Sequence, residues 1–560
     1  MPPNAKNWNA ISPSRFPWEQ EALDFVHEKF PADPYLAWSN FEFIAAEGSI
    51  NETDLLIAGP WGVFLVEIKS RPGRLIGDNG SWTWIGEDGR RRTDDNPLLL
   101  ANRKCKRLKD LLGRQAAFRN RNLPFIQALV FCSAPGLDLQ LALDARNFVC
   151  VRDSEEKSRP GIRAAIFHRQ GPGLRPATER LVDGPTLKAF AQAMAQAGLR
   201  PLHRKVADFV LDQLRYESPT AVFQDWEAHH STSESVRRLV RLYLASSRTA
   251  KEDRQAITEA AKREFHILEK LNHPGILKAN VPAECELGPA IVFDFDPSAQ
   301  RLDHYMAEKG AQLDVTARWQ LLRQVADAIR YAHDKDVVHR ALSPQSIFVL
   351  LDKRGQPRVQ IYNWHTGSRL ADGSFSGLTN LTVSLHAAQL LEDPARAFLA
   401  PETLTSGEEP NEGMDVFSLG AIAYFLFSGQ PPARDAAELE AKLKASPSRS
   451  LELRDICDGV SESIATLVRE STRAGVVERC SLDDFLTYLD LILDDLTRRE
   501  DEVADPREAD KGNCLSNGYH VERRIGKPPE SVRPYARPAE RLRWYRRMAR
   551  KASPGNSPGL

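Results

Sequence analysis

The spacing of apolar residues changes along the chain, and each change predicts an element. After Pro17, the segment WEQEALDFVHEKF sets Trp18, Ala22, Phe25, Val26 and Phe30 on one arc at about 100° per residue, which predicts a helix. Glu19 falls inside that arc and Glu21 at its edge. A carboxylate on a buried stripe costs free energy unless something pairs with it. The pattern then becomes that of strands over 53–58 and 63–69, around the turn Gly59-Pro60-Trp61-Gly62. A symmetric hairpin opposes Ile57 to Phe64, Leu55 to Val66 and Asp54 to Glu67. One face is then apolar, and the other ends in Asp54 beside Glu67, with Lys69 two residues on and pointing the same way.

Helical spacing returns over 101–121, where Ala101, Cys105, Leu108 and Leu112 form a stripe, so the cations of this stretch are expected to face outward. It returns again over 260–271 and is stopped by Asn272-His273-Pro274-Gly275. The longest apolar run, 416–427, is too short to span a bilayer and reads as a buried helix.

Length and composition narrow the picture. At 560 residues the chain has room for three or four domains of roughly 100–200 residues each, which excludes a single small fold. Hydrophobic content of 42% with 27% charged residues excludes a disordered or fibrous chain. The net charge of −1 excludes a uniformly basic coat for nucleic acid, although not local basic patches. The seven cysteines contain no CxxC pair, which suits a reducing compartment without disulfides or zinc. The N-terminal stretch has no apolar signal core, so the expected location is cytoplasmic, with no membrane partner.

Chemistry enters at the hairpin. Directly opposed carboxylates repel, and a divalent cation would remove that cost. Two carboxylates on a hard cation beside an amine suffice for metal-assisted phosphodiester hydrolysis. The competing reading of Glu-x-Lys is a solvated surface ion pair. Asp54, then Val66-Glu67-Ile68-Lys69, Gly73, Trp82 and Asn96-Pro97, resembles the nuclease-related domain (NERD) family. That resemblance covers about the first third of the chain and implies an α/β restriction-endonuclease-like core over 1–200. It implies that Asp54 and Glu67 bind Mg²⁺, that Lys69 is the catalytic lysine, and that Glu19 or Glu21 supplies a helix carboxylate. The 101–121 stretch holds eight Lys or Arg and one Asp, including Arg103, Lys104, Lys106 and Arg107. A solvated helix face and a nucleic-acid phosphate site both fit it.

Residues 337–349 (VVHRALSPQSIFV), 360–365 (QIYNWH), 399–402 (LAPE) and 415–420 (DVFSLG) follow in an order that resembles the protein-kinase family. This implies an α+β bilobal kinase-like domain over 205–495. Matching the family's motifs puts Ala341 at the catalytic base, Ser346 at the metal-binding Asn, Asn363 at the metal-binding Asp and Arg241 at the strand lysine. Glu264 keeps the helix carboxylate. His339-Arg340, Ala400-Pro401-Glu402, Asp415 and Arg479 keep the architecture. The stretch expected to cover phosphates, 216–226, has no glycine, which argues against ATP binding. The domain reads as a pseudokinase. The alternative is a weakly active kinase in which Asn363 retains one metal contact.

Residues 496–560 read as an acidic linker, then 515–527 (LSNGYHVERRIGK), which resembles a kinase first strand entering its glycine loop, then an Arg- and Pro-rich tail. Residues 514–560 hold eleven Lys or Arg against three Glu. Nuclease-related domain, kinase-like domain and the start of another kinase together resemble the large serine/threonine kinase of phage-growth-limitation and BREX phage-defence systems. On that resemblance the chain is expected to be an early-terminated or frame-shifted member with protein partners in a defence system. The alternative for the tail is nucleic-acid binding with Trp544 and Tyr545 stacking on bases. For the whole chain, the alternative is a non-enzymatic adaptor.

Overall fold

The computed structural model describes residues 7–14, 16–154, 161–201, 205–218, 222–245, 251–285, 287–369, 393–404, 409–457 and 459–497, with 502–503 and 514–515. Met1–Leu493 forms one compact unit and Asp494–Leu560 a second. In the second, Glu502–Val503 pairs in parallel with Cys514–Leu515. The tail positions Trp544 and Tyr545, and 516–527 of the strand-like segment, lie outside the described residues.

The first domain runs β1 (Trp8–Ala10), α1 (Pro17–Glu28), β2 (Leu36–Ile44), β3 (Ile50–Gly59), β4 (Gly62–Lys69), β5 (Arg74–Gly77), β6 (Ser81–Ile85), β7 (Arg91–Asp95), α2 (Pro97–Gly113), β8 (Ile126–Cys132), β9 (Asp138–Leu141), β10 (Val149–Cys150), α3 (Ile162–His168) and α4 (Gly184–Gln196). Its main sheet has the order β1-β2-β3-β4-β8-β10, mixed in direction, beside a small sheet β7-β6-β5-β9. The hairpin closes in the expected register, Leu55 against Val66 and Ile57 against Phe64.

The expectation of one apolar and one polar face is corrected. Leu56, Ala58, Val63 and Leu65 pack under Ala101, Leu108 and Leu112 of α2 and Phe190 of α4. Leu55, Ile57, Phe64 and Val66 pack under Ala22, Leu23 and Val26 of α1 and Ile162 and Ile166 of α3. The sheet is thus the middle layer of three, which explains why its strands read as near-continuous apolar runs. Gly59 at the turn is fixed by the Tyr35 ring, which stands 2.4 Å from where a Cβ would be. Trp18, expected on the buried arc, is instead exposed and stacked on Phe16.

The second domain begins with a six-stranded antiparallel sheet, β11 (Lys205–Val206), β12 (Phe209–Glu217), β13 (Phe223–His230), β14 (Ser233–Tyr243), β15 (Ala279–Cys285) and β16 (Gly288–Asp294), in the order β11-β12-β13-β14-β16-β15. Helix α5 (Lys251–Lys270) packs against it. A mainly helical half follows, with α6 (Leu302–Lys309) and α7 (Val315–His333). The apolar run forms the helix Glu412–Ser428, buried along nearly its whole length. The two halves share one apolar cluster, in which Ile291 and Phe293 of the sheet meet Leu321 and Val325 of α7.

The two domains dock through side chains placed by α2, β7 and β13. Ile50 of β3 joins an apolar cluster with Val206, Trp226 and Val240. Gln224, fully buried, accepts from the Ile50 amide at 3.3 Å and donates to the Ile50 carbonyl at 2.9 Å and to Glu217 at 2.6 Å. Arg107 donates to both oxygens of Glu217 (2.8 and 2.7 Å) and to Asn51 (3.1 Å). At the other end Asp95 accepts from Arg301 at 3.0 and 3.1 Å and contacts His304 at 2.9 Å. Removing Gln224 strands two buried backbone groups of Ile50, which costs about 2–3 kcal/mol. We expect Gln224→Ala to lower the melting temperature of the 1–493 unit and split its transition in calorimetry. A single, unshifted transition would show the docking to be energetically idle.

Candidate functional site

The first candidate site forms where α1, β3, β4 and α2 converge. β-alternation places Glu67 and Lys69 on the same side of β4, and Asp54 faces them from β3. Asp54 Oδ2 accepts the Ile68 amide at 2.7 Å, so it caps the strand beside Glu67 instead of continuing the ladder, which ends at Leu55 and Val66. Lys69 Nζ lies 3.0 Å from Glu67 Oε1, and Lys104 Nζ lies 2.7 Å from Glu67 Oε2. Asn40, in the left-handed region at φ 52°, sits between the paired positions Ser39/Leu55 and Phe41/Thr53, opposite Asp54. Oriented to satisfy its neighbours, its amide nitrogen donates to Glu19 Oε1 at 2.8 Å and its oxygen accepts from the Ser14 amide at 3.0 Å.

The two helix carboxylates point in different directions. Glu19 is buried toward Asp54, whereas Glu21 is turned outward onto Arg152 at 2.6 Å. Burial and the charge of Asp54 push Glu19 up to about 8. Burial and the charge of Glu67 push Asp54 up to about 6, against the pull of Lys104 and Lys69. Burial would raise Glu67 too, but Lys104 and Lys69 outweigh it and hold that carboxyl at about 2. At neutral pH the cluster therefore balances two carboxylates and a protonated Glu19 against two ammonium groups.

Lys104 corrects an expectation. It was placed with Arg103, Lys106 and Arg107 on an outward basic face, yet it is 5% exposed and belongs to the acidic cluster. Arg107 is likewise turned into the domain interface, onto Glu217 and, at 2.7 Å, onto Glu47. Arg103 reaches the Glu217 carbonyl at 3.3 Å, and of the four only Lys106 is exposed. The signal was in the sequence, because Ala101, Lys104, Leu108 and Leu111 also share one helix face. The arrangement does not offer Mg²⁺ a ready ligand set. Both oxygens of Glu67 hold ammonium groups, and among the described residues no three His, Cys, Asp or Glu side chains are grouped to hold a metal ion. Lys69, about one-third exposed, is the group an incoming phosphate would meet.

The second candidate site is the cleft of the kinase-like domain, and Arg241 fills it. Its side chain has no exposure. Nε and Nη2 donate to the two oxygens of Asp225, both at 2.7 Å, and Nη1 donates to Glu264 at 2.8 Å. Nη2 also donates to Asn363 Oδ1, and the guanidinium carbon stands 4.2 Å from the Phe223 ring centroid. Tyr243 donates its hydroxyl to Glu264. Strand pairing places Asp225 directly across from Arg241. Asp225 was not anticipated, and the signal was an acid on the strand paired with the Arg-bearing one. Asn363 is left-handed at φ 66°, and its carbonyl oxygen is taken by Arg241 instead of being presented to a metal.

Ala341 is buried against Ala395 and Leu399, and Ser346 closes a capping box with Ser343. His365 packs on Phe223, and burial together with Arg241 holds it neutral, well below its ordinary range. The architectural residues do meet. Asp415 accepts the amides of His339 and Arg340, both at 2.8 Å, and Arg479 grips Glu402 at 2.6 and 3.2 Å.

Residues 14–132 match the family described as Nuclease-related domain, and residues 233–488 the family described as Protein kinase domain. Among curated proteins the chain is similar to Probable kinase PglW of Streptomyces coelicolor, at 33% identity over 554 residues, covering 93% of this chain and 34% of that protein. It is also similar to Probable serine/threonine-protein kinase fhkC of Dictyostelium discoideum (24% identity, 42% of this chain and 38% of that one). Calcium/calmodulin-dependent protein kinase type 1 of Macrobrachium nipponense matches at 28% identity (40% and 59%). Among solved structures, the Mycobacterium tuberculosis PknI kinase domain matches at 18% identity and a TM-score of 0.37, over 51% of this chain and 97% of that one. The chain spans about a third of the length of PglW. It thus pairs an N-terminal nuclease-related domain with a kinase-like domain.

The pH dependence of the first cluster follows from Glu19. Its folded pKa, about 8, lies above the ordinary 4.5, so the native state binds the extra proton between these values and stability falls as pH rises from about 4.5 to about 8. Glu19→Gln fixes the uncharged form. We expect it to flatten that part of the stability curve and to raise stability at pH 8 by on the order of 3 kcal/mol, read from thermal melting across pH. Parallel curves for variant and wild type would contradict the burial of a protonated Glu19.

Proposed function

We propose that this chain is a phage-defence protein of the PglW kind, in which a kinase-like module without phosphotransfer activity is docked on a nuclease-related domain that acts on nucleic acid. The single observation that carries the reading is the guanidinium of Arg241, buried between Asp225, Glu264 and Asn363. Phosphoryl transfer needs a compact ammonium on the nucleotide phosphates, a carboxylate on Mg²⁺ and a base for the hydroxyl. Here the first is a planar cation committed to protein carboxylates, the second is an amide, and Ala341 stands in place of the third. ATP would have to break a buried ion pair to enter, and such a rupture costs about 3–5 kcal/mol.

In the first domain, Lys69 is the residue suited to neutralise a phosphodiester, with Asp54 and Glu19 able to hold or accept protons near neutral pH. A restriction-endonuclease-like core fits the mixed sheet flanked by helices. The location is cytoplasmic and the kinase-like module serves protein partners. The second reading, an adaptor whose two domains only bind, is favoured by the ammonium groups on both oxygens of Glu67.

Two measurements test the reading. Purified chain with labelled ATP should transfer no phosphate, ATP should not shift its melting, and Arg241→Met should cost about 3–5 kcal/mol by leaving Asp225 and Glu264 unpaired. ATP-dependent stabilisation of the wild type would reject the silent-kinase assignment. On plasmid or single-stranded DNA with Mg²⁺ or Mn²⁺, Lys69→Ala should lower cleavage about 10²-fold. Equal behaviour of the two proteins would favour the adaptor.

A further inference from the structure

Lys104 stands where a cation is needed. Asp54 and Glu67 lie side by side at the end of a buried hairpin, and a buried carboxylate pair requires compensating positive charge. Lys69 supplies part of it from the solvent side, with 36% of its side chain exposed. Lys104 supplies the rest from inside, with 6% of its side chain exposed and Nζ 2.7 Å from Glu67 Oε2. An ammonium fully enclosed at that distance occupies the volume and the lone pair that a divalent cation would use.

The same turn of the helix is gripped by the other domain on an adjoining face. Arg103 and Arg107, the residues flanking this turn of α2, reach Glu217 of the kinase-like domain, whose side chain is 1% exposed. Glu217 in turn accepts from Gln224, the neighbour of Asp225 that binds Arg241. One turn of α2 therefore carries both the buried ammonium and, on the adjoining face, the domain clamp.

We propose that Lys104 is the resident cation of the acidic cluster, held there by the clamp of α2 on the kinase-like domain, and that a divalent cation reaches Asp54 and Glu67 only when this ammonium is withdrawn. The inference deepens the nuclease reading but does not require cleavage, because its readout is cation binding. Withdrawal needs a movement of α2, which gives the kinase-like module a mechanical hold on the other domain without any phosphate transfer.

The test uses the full chain, titrated with Mn²⁺ by calorimetry and by melting temperature in the absence of nucleic acid. Wild type should show no binding at the cluster. Lys104→Met should gain a single Mn²⁺ site and a cation-dependent rise in melting temperature of several degrees, both abolished by adding Asp54→Asn. Binding by wild type that Asp54→Asn removes would overturn the proposal, and so would a folded Lys104→Met protein with no gain. Should Lys104→Met not fold, Glu217→Gln loosens the clamp without touching the cluster. It should gain weaker Mn²⁺ binding of the same Asp54 dependence, and no gain there overturns the proposal equally. Mn²⁺ binding by Lys104→Met without any DNA cleavage would uphold this proposal while rejecting the nuclease reading, so the two fates are distinguishable.

Discussion

A guanidinium with no solvent exposure cannot exist unpaired, and the kinase-like half of this molecule is arranged around that constraint at Arg241. Asp225 from the neighbouring strand, Glu264 from α5 and Asn363 from within the helical half all turn toward it. A buried ion pair of this sort is weak evidence for stability, since an apolar replacement of the same volume is often as stable. It does specify geometry, because each partner is left with an uncompensated charge if the others move. Sheet, helix and helical half are therefore tied at one point, in the place where kinases hold a nucleotide that changes from cycle to cycle.

The tie extends beyond the cleft. Gln224 precedes Asp225 on β13, so alternation turns it to the opposite face, where it hydrogen-bonds both backbone groups of Ile50 in the first domain. Glu217, on the strand before it, takes Arg107 of α2. Fixing Asp225 inside the cleft thus fixes Gln224 against β3, and a domain interface becomes an outcome of strand geometry. The second anchor, Asp95 on Arg301 and His304, closes the far side, so rotation about either anchor alone is opposed by the other.

Much of this was legible in the chain. The register of the hairpin follows from local spacing, which acts within a strand or helix, and the meeting of Glu264 with Arg241 follows from the resemblance to protein kinases. What local spacing does not carry is which of two helix faces meets charge from a distant segment. Trp18 and Lys104 were placed by hydrophobicity alone and exchanged places with it: the indole is outside on Phe16, and the amine is inside on Glu67. For Lys104 a long-range partner, invisible to periodicity, outweighed the transfer preference of the side chain, whereas Trp18 stacks on its near neighbour Phe16 at the surface. Glu19 shows the converse, since a lone acid on an apolar stripe signalled a buried partner before any partner was visible.

The two charged centres share a logic that bears on how the molecule works. Each holds a buried protein cation among its acidic partners, Arg241 between Asp225 and Glu264 and Lys104 on Glu67. A cation carried by the chain is positioned without the entropy cost of capturing a free ion, and it leaves only if its own segment or side chain moves. Arg241 is held by partners from the neighbouring strand, from α5 and from the helical half, so its side chain moves only when all three release it. Lys104 sits on α2, which packs on the sheet through Ala101, Leu108 and Leu112 and is gripped as well by side-chain pairs at the domain boundary, and such pairs open at lower cost than a β-ladder does. The asymmetry makes Arg241 the more firmly fixed of the two cations.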